Sequence, residues 1–408
     1  MKPVLIIAIA MMTFAGCKSS ESIANAQKIN FTPEQAQNIT ASNQFGLALF
    51  KEINSNSKSD ENIFISPLSI HTALGMAWNG AGTSTKSQMA SVMYLPDASE
   101  QQINESFSKI SGQILASDPK VKMDIANSIW YRKGYKVKKE FLSLNKKYFK
   151  ADINEIVFTD PNSKTIMNNW VAQKTNNKIT QIVDEITSDH VMFLINAVYF
   201  KGMWTNEFNP ENTHKRPFFM ADGSKKDIMT MEMTHRFPYS ERRGYKVAEL
   251  PYGDGNFSMV ILLPDQEMAI DVLIQILTSE EWNEINTDLA YTPEINLHLP
   301  RFKFAYDIEL KSSLINLGMN HPFIPGLADF SGISDAGIYI SRVKHKSFVE
   351  VNEEGTEAAA VTSIETRETA IRPNPLTFHV NRPFVFALKE KTTNTILFIG
   401  KVMDPEKE

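Results

Sequence analysis

The chain of 408 residues contains a single cysteine, Cys17. An intrachain disulfide needs a second thiol, so the protein must fold without one and depend on its hydrophobic core. Its eight histidines form no His-Glu-x-x-His motif and no Cys/His cluster. This pattern argues against a structural or catalytic metal, and we expect no metal and no cofactor.

An excess of positive charge is also lacking. The formal net charge is −5 and the isoelectric point is near 6.0. Proteins that bind nucleic acid usually carry a basic surface, so we expect no nucleic-acid partner.

Enzyme motifs are missing as well. Residues 82–87 contain the lysine of a phosphate-binding loop, but Thr85 stands where the motif needs glycine. There is no Gly-x-Ser-x-Gly elbow to hold a nucleophilic serine. The chain is therefore predicted not to be an enzyme.

Residues 1–16 are typical of an export signal. Lys2 supplies a positive start, and residues 4–12 form an apolar core too short to span a bilayer. The sequence Phe-Ala-Gly-Cys at 14–17 resembles the bacterial lipobox, in which the cysteine is lipidated and becomes the new N-terminus. The alternative is an ordinary cleaved signal that happens to hold a cysteine. We expect an exported lipoprotein anchored through Cys17, at the bacterial outer membrane or cell surface.

The remainder of the chain divides into a tether and one large domain. Residues 18–40 are polar and predict a tether, and residues 41–408 predict the folded domain. Helical periodicity comes early in the domain, and strand-like segments come late. Because helices and strands do not alternate regularly, this order predicts an α+β fold with large, mainly antiparallel sheets.

Residues 353–373 form an unusual segment that is small, polar and β-branched, with Gly355 and Pro373 near its ends. Those two residues favour an exposed loop. Read with period two, however, all three charges between 356 and 367 fall on one face. That alternation is typical of a strand with one buried face. From these residues alone, a simple surface loop or edge strand remains the alternative.

The same segment resembles a known family. Residues 353–360, Glu-Glu-Gly-Thr-Glu-Ala-Ala-Ala, are similar to the hinge of the serpins. Further similar segments lie in family order along residues 41–405: 62–69, 196–204, 299–302, 328–333, 381–384 and 398–402.

The resemblance implies the serpin fold, with a large, antiparallel-rich central sheet A, two further sheets, eight to nine helices and an exposed reactive-centre loop at 353–373. It also implies a monomeric inhibitor of serine proteases, and by extension of cysteine proteases. The protease would attack the loop as a substrate and form an acyl-enzyme, and the cut loop would then insert into sheet A. A non-inhibitory carrier or chaperone with the same fold is the alternative, which the small residues at 356, 358 and 360 disfavour. An exported adhesin or hydrolase is a rival of another class, and no nucleophile motif supports the hydrolase.

The resemblance also assigns roles to individual residues. The hinge residues are Glu353, Glu354, Gly355, Thr356, Glu357, Ala358, Ala359 and Ala360. Ser66, Ser69, Asn196 and His345 are expected to form the shutter beneath the sheet, and Trp204 to lie at the breach where the loop enters. Asn196 and His345 are expected to hydrogen-bond across the strands that must part.

The scissile bond is expected at Thr369–Ala370, because in the family it lies fourteen residues after the hinge glycine and 355 + 14 = 369. Counting back from Asn381 gives either Thr369 or Arg372. The bond at Thr369 would suit elastase-like or subtilisin-like proteases. Trypsin-like enzymes would instead cut after Arg367 or Arg372.

Overall fold

The computed structural model describes residues 31–291, 294–356 and 375–407. Within these ranges there are nine α-helices. They are α1 (Pro33–Asn56), α2 (Pro67–Trp78), α3 (Thr83–Val92), α4 (Glu100–Leu115), α5 (Lys139–Phe149), α6 (Asn162–Lys174), α7 (Ile270–Ile276), α8 (Ser279–Asp288) and α9 (Lys311–Asn316).

The same ranges contain seventeen β-strands. They are β1 (Ile63–Ile65), β2 (Val121–Arg132), β3 (Asp152–Ile156), β4 (Met192–Met203), β5 (His214–Phe219), β6 (Lys225–His235), β7 (Pro238–Arg242), β8 (Tyr245–Tyr252), β9 (Phe257–Pro264), β10 (Ala290–Tyr291), β11 (Ile295–Pro300), β12 (Phe302–Glu309), β13 (Lys344–Val351), β14 (Gly355–Thr356), β15 (Leu376–His379), β16 (Phe384–Glu390) and β17 (Thr395–Val402).

The strands form three sheets, named A, B and C below. Sheet A has six strands in the order β12-β13-β14-β4-β2-β3. Sheet B has seven, β1-β17-β16-β9-β8-β7-β10, and sheet C has four, β15-β11-β6-β5. Antiparallel pairs dominate, with parallel pairing only at β2–β3 and β11–β15 among the described strands. The predicted α+β class with one large sheet and two others is confirmed.

The first helix begins earlier than the hydrophobic periodicity predicts. It starts at Pro33, inside the segment predicted as a tether. Thr32 accepts a hydrogen bond from the backbone of Gln35, whose side chain bonds back to Thr32, and this capping box fixes the start. The first turns carry few apolar residues, so the capping signal, not the periodicity, marks the true beginning.

Helix α2 contacts both large sheets, because it packs on β4 of sheet A and on β17 of sheet B. Its length is almost wholly buried, including Leu68, Ile70 and Leu74. Aromatic rings continue this core into sheet B, where Phe64 stacks on Phe398 with ring centroids 5.0 Å apart. The helix thus lies between sheet A and sheet B, against β4 and β17.

Among the described helices, none is both long enough and apolar enough to cross a membrane.

Candidate functional site: the hinge and centre of sheet A

The two-residue strand β14 lies between β13 and β4 in the middle of sheet A. Thr356 pairs with Val351 on one side and with Gly202 on the other, and Gly355 pairs with Met203. From Gly202 back to the start of β4, and from Val351 back to the start of β13, the described residues of these two strands share no ladder pairs. Among the described strands, β4 and β13 are therefore joined by ladder pairs only through Gly355 and Thr356. This differs from the expected exposed hinge, because Gly355 and Thr356 are already part of the sheet.

Gly355 is required by the close approach of β14 to β4. A Cβ atom on this residue would lie 2.1 Å from the carbonyl oxygen of Gly202, and its φ is +149°. No side chain fits at such a distance, and L-residues rarely adopt this backbone conformation. The glycine therefore lets the hinge turn into the sheet.

The hydroxyl of Thr356 is held inside the protein. Thr356 is 4% exposed, and its Oγ1 lies 2.7 Å from the phenolic oxygen of Tyr252 in β8. Burial raises the pKa of Tyr252 well above its ordinary value, so this phenol remains neutral and can share the hydrogen bond. Tyr252 in turn stacks on Trp204, with ring centroids 4.4 Å apart and planes at 11°.

Trp204 contacts the chain just before the hinge. Its Nε1 donates to the carbonyl oxygen of Asn352 at 2.9 Å, and its backbone N–H donates to Glu354 at 2.8 Å. The indole is 4% exposed. Trp204, the predicted breach residue, thus lies against the residues that lead into β14.

Glu353 is a buried acid with two partners. Arg301 donates from Nε to the Glu353 carboxylate at 2.7 Å and again from Nη2, and the hydroxyl of Thr213 donates to the same oxygen. Because Glu353 is 5% exposed, these donors supply the hydrogen bonds that its buried carboxyl group would otherwise lack. Its neighbour Glu354 lies near Glu207, whose pKa is raised by burial and then by the charge of Glu354.

The four predicted shutter residues lie together below the hinge. Ser66 caps α2, and its backbone N–H donates to Nε2 of His345 at 3.1 Å. Ser69, in the first turn of the same helix, donates to Oδ1 of Asn196 on β4. The amide of Asn196 donates to Asn127 on β2 at 2.6 Å.

The expected direct bond between Asn196 and His345 is wrong. Among the described residues each binds the start of α2 instead, His345 through Ser66 and Asn196 through Ser69. The helix cap supplies both partners because Ser66 and Ser69 are three residues apart, on one face of the first turn. The two halves of sheet A are linked here through a helix and not strand to strand.

His345 is neutral in this arrangement. It is 7% exposed, and burial lowers its pKa to about 4. Its Nε2 accepts a hydrogen bond from a backbone amide, which a protonated imidazole is unable to do. The shutter contact therefore exists only with the uncharged ring.

A cavity of about 550 Å³ lies at the lower end of the same gap. Residues 193–196 of β4 form one wall, and residues 343–345 at the start of β13 form the other. Ile70 and Leu74 of α2 form its floor. Space between β4 and β13 thus continues below the shutter.

Several residues of this site were missed by sequence reasoning. No sequence pattern assigns a role to Tyr252 or Asn127. Arg301 belongs to the segment 299–302, which resembles the serpins, but the resemblance assigns it no role. No sequence pattern indicates a role for Thr213. Each acts through a partner distant in sequence, which local patterns do not reveal.

Other predicted residues lie outside the described chain. They are Cys17, Glu357, Ala358, Ala359, Ala360, Arg367, Thr369, Ala370 and Arg372. Within the described ranges, no group of three or more acidic, histidine or cysteine side chains could hold a metal ion.

Comparison with known proteins gives a consistent result. A family model described as serpin (serine protease inhibitor) matches residues 40–405. The chain is 34% identical over 374 residues to an uncharacterized serpin-like protein of Methanosarcina acetivorans, covering 90% of this chain and 86% of that protein. It is 32% identical over 404 residues to antithrombin-III of Mus musculus, covering 96% and 87%.

Solved structures agree with this comparison. Tengpin, a thermophilic serpin in its native state, matches with a TM-score of 0.83 at 34% identity, covering 92% of this chain and 96% of tengpin. Human thyroxine-binding globulin matches with a TM-score of 0.83 at 24% identity, covering 92% and 100%. At that identity the second likeness shows the fold alone.

Proposed function

Because the chain belongs to the serpin family, whose model matches residues 40–405, we propose that it inhibits serine proteases as a suicide substrate. The protease attacks the loop formed by residues 353–373 and forms an acyl-enzyme with it. The protease is trapped when the cut loop enters sheet A. The observation that carries this proposal is β14. Thr356 already pairs with both strands between which the rest of the loop would insert, and Gly355 pairs with β4.

The register of β14 defines the positions of the inserting strand. If the inserted strand continued the pairs Thr356–Gly202 and Thr356–Val351, Ala358 would lie opposite Phe200 of β4 and Val349 of β13. Directly opposite residues in antiparallel strands project to the same face, so Ala358 would meet the core side of sheet A. Its small side chain suits that crowded position.

In the same register, the inserted strand would pass between the shutter residues of β4 and β13. Thr362 would come opposite Asn196 and His345, the two residues that now bind α2. A threonine hydroxyl both donates and accepts hydrogen bonds. It would therefore supply a partner to Asn196 or His345 when the separation of β4 and β13 breaks their bonds to α2. The charged Glu357 and Glu365 would project to the opposite face.

Insertion is favourable because each added residue gains ladder hydrogen bonds, worth roughly 0.5–1.5 kcal/mol each. That gain requires one end of the loop to be free. While the loop is anchored at both ends, the intact protein is held kinetically, and cleavage releases the strand.

The bond that the protease cuts is proposed to be Thr369–Ala370, with elastase-like or subtilisin-like enzymes as targets. Cleavage after Arg367 shortens the tether between loop and protease, whereas cleavage after Arg372 lengthens it. We therefore expect trypsin-like enzymes to be trapped best through Arg367. A non-inhibitory carrier is the second candidate function, and the small residues at 356, 358 and 360 disfavour it.

The test incubates the protein separately with pancreatic elastase, subtilisin and trypsin. We expect an SDS-stable complex whose mass is that of the protease plus the cut inhibitor. Mass spectrometry of the released C-terminal peptide then identifies the bond, and a peptide beginning at Ala370 supports the proposed site. The cleaved protein should also have a higher unfolding temperature than the intact one, because its loop has entered the sheet.

Rapid cleavage without complex and without thermal stabilisation contradicts the inhibitory mechanism and favours the carrier. If a complex forms through a different bond, the inhibitory mechanism is supported but the scissile bond is not Thr369–Ala370.

We also propose that Cys17 carries a lipid that anchors the protein to a membrane. Acyl chains stabilise membrane attachment by about 0.8 kcal/mol per buried methylene group. In bacterial cells the wild-type chain should sediment with membranes, and Cys17→Ser should not. Equal sedimentation of the two would support the ordinary cleaved signal instead.

A further inference from the structure

The strand β15 follows the loop and anchors its C-terminal end. It contains four residues, forms the edge of sheet C, and pairs with β11 over its full length. Phe378 packs into the core at 1% exposure, and the backbone N–H of Val380 donates to His298 at 2.9 Å. Since an edge strand of this length has few ladder bonds, a change at one pair can decide whether it stays docked.

Two histidines face each other at the last pair of this strand. His379 of β15 lies directly opposite His298 of β11, with ring centroids 4.8 Å apart. His298 is 7% exposed, and within the described chain neither of its ring nitrogens has a hydrogen-bond partner. A buried imidazole without an acceptor has nothing to stabilise a proton on its second nitrogen.

The charged groups around this pair are mostly positive. Arg216 of β5 and Arg382 beyond β15 act on His379, and Arg216 also acts on His298. Glu232 of β6 is the one described carboxylate among them, 3.8 Å from His298 Nε2. That carboxylate already accepts a hydrogen bond from Arg216, so its charge is largely compensated.

We propose that the His298–His379 pair is an acid-sensitive latch that holds the C-terminal anchor of the loop at neutral pH and releases it on acidification. With both rings neutral, β15 stays docked on β11. A proton on either ring places a further cation beside Arg216 and Arg382 at the edge of the sheet. The edge strand then separates, because solvent accommodates the charge that the sheet does not. The proposal rests on the proposed function only in treating the residues between Thr356 and β15 as the loop that a protease attacks.

The direction of the pH effect follows from the docked and released states. Burial, together with the positive neighbours, lowers the pKa of docked His379 to about 4, and burial and Arg216 lower that of His298. A released strand returns His379 toward its ordinary value near 6.5. The released state therefore binds protons more tightly, and docking weakens as the pH falls from about 6.5 toward 4.

The experiment is hydrogen exchange measured by mass spectrometry on the uncut, full-length protein at pH 7.5 and pH 5.0. Rates are corrected for the intrinsic pH dependence of amide exchange, and peptides covering 375–380 are compared with peptides from β8 and β9. We expect protection of 375–380 to fall about thirtyfold at pH 5.0, because this pH lies about 1.5 units below the released pKa and above the docked pKa of about 4. Protection of β8 and β9 should be the same in the wild type and in His379→Gln at each pH.

His379→Gln and the double variant with His298→Gln should keep this protection at pH 5.0. His214→Gln, an exposed histidine on β5 of the same sheet, is the matched control and should behave like the wild type. Equal loss of protection in the wild type and in His379→Gln overturns the proposal, as does full protection of the wild type at pH 5.0. Because exchange is read without a protease, these outcomes are independent of whether the chain inhibits one.

Discussion

The side-chain oxygens of Thr356 and Tyr252 lie 2.7 Å apart in the buried junction between sheets A and B. Tyr252 belongs to β8, and it stacks on Trp204 just beyond the end of β4. The start of the loop is therefore fastened to the core before any protease cuts it. This hydrogen bond makes the hinge the most direct place to test the proposed mechanism.

Replacing Thr356 with arginine should convert the inhibitor into a substrate. The side chain is buried, and an arginine there has no acid partner among its neighbours Tyr252 and Gly202. We expect the yield of SDS-stable complex to fall at least tenfold while cleavage of the loop continues. Thr356→Ser keeps the hydroxyl and should retain complex formation.

Ala358→Pro is expected to act in the same way, although Ala358 lies outside the described residues. Proline lacks the N–H that an inserted strand needs in the middle of a sheet. Full complex yield from both Thr356→Arg and Ala358→Pro would refute loop insertion for this protein.

Gly355→Ala should remove β14 from sheet A. Its new Cβ would lie 2.1 Å from the carbonyl oxygen of Gly202, so the hinge must move. We expect a loss of about 1–3 kcal/mol, typical of overpacking, seen as a lower midpoint in urea unfolding. Gly223→Ala is the control, since Gly223 also has positive φ, at +85°, but open space around its Cβ position. An equal effect of the two substitutions would attribute the loss to backbone strain and not to the clash.

Arg301→Ala should destabilise the protein by about 2 kcal/mol, because it removes the charged donor from the buried carboxylate of Glu353. Part of the arginine is exposed, so we place the cost in the middle of the range for charged hydrogen bonds. Glu353→Gln should cost less, since a neutral amide still accepts from Thr213. Urea midpoints for both single variants and the double variant give the coupling energy. Additive effects would contradict the pairing of Arg301 with Glu353.

Acid should weaken the shutter through His345. Burial lowers the pKa of folded His345 to about 4, below its ordinary value of 6.5. A depressed folded pKa contributes stability that is present above pH 6.5 and is lost as the pH falls toward 4, by about 3 kcal/mol at most. Buried His71, with its pKa also lowered to about 4, should add a loss over the same range.

The measurement is the urea midpoint at pH 7.0 and pH 4.5. His345→Gln should reduce the acid-induced drop, while exposed His235→Gln should leave it as in the wild type. An unchanged drop in His345→Gln would assign the acid sensitivity to other groups.

Much of the fold could be predicted from local patterns. The apolar run at 191–200 forms most of β4, and the glycine-rich turn between 252 and 257 joins β8 to β9. These elements depend on residues within a few positions of one another. The start of α1 was predicted too late, because a polar capping box is invisible to hydrophobic periodicity.

The sequence by itself therefore determined the α+β class, which the order of helical and strand-like segments predicts, and the family, which the resemblance of several motifs in order indicates. Only the tertiary structure decided that Gly355 and Thr356 already lie in sheet A, because their partners are in β4, β8 and β13. It also decided that the shutter runs through α2, where Ser66 and His345 are separated by 279 residues. Hydrogen bonds across such distances arise from packing, and no local pattern contains them.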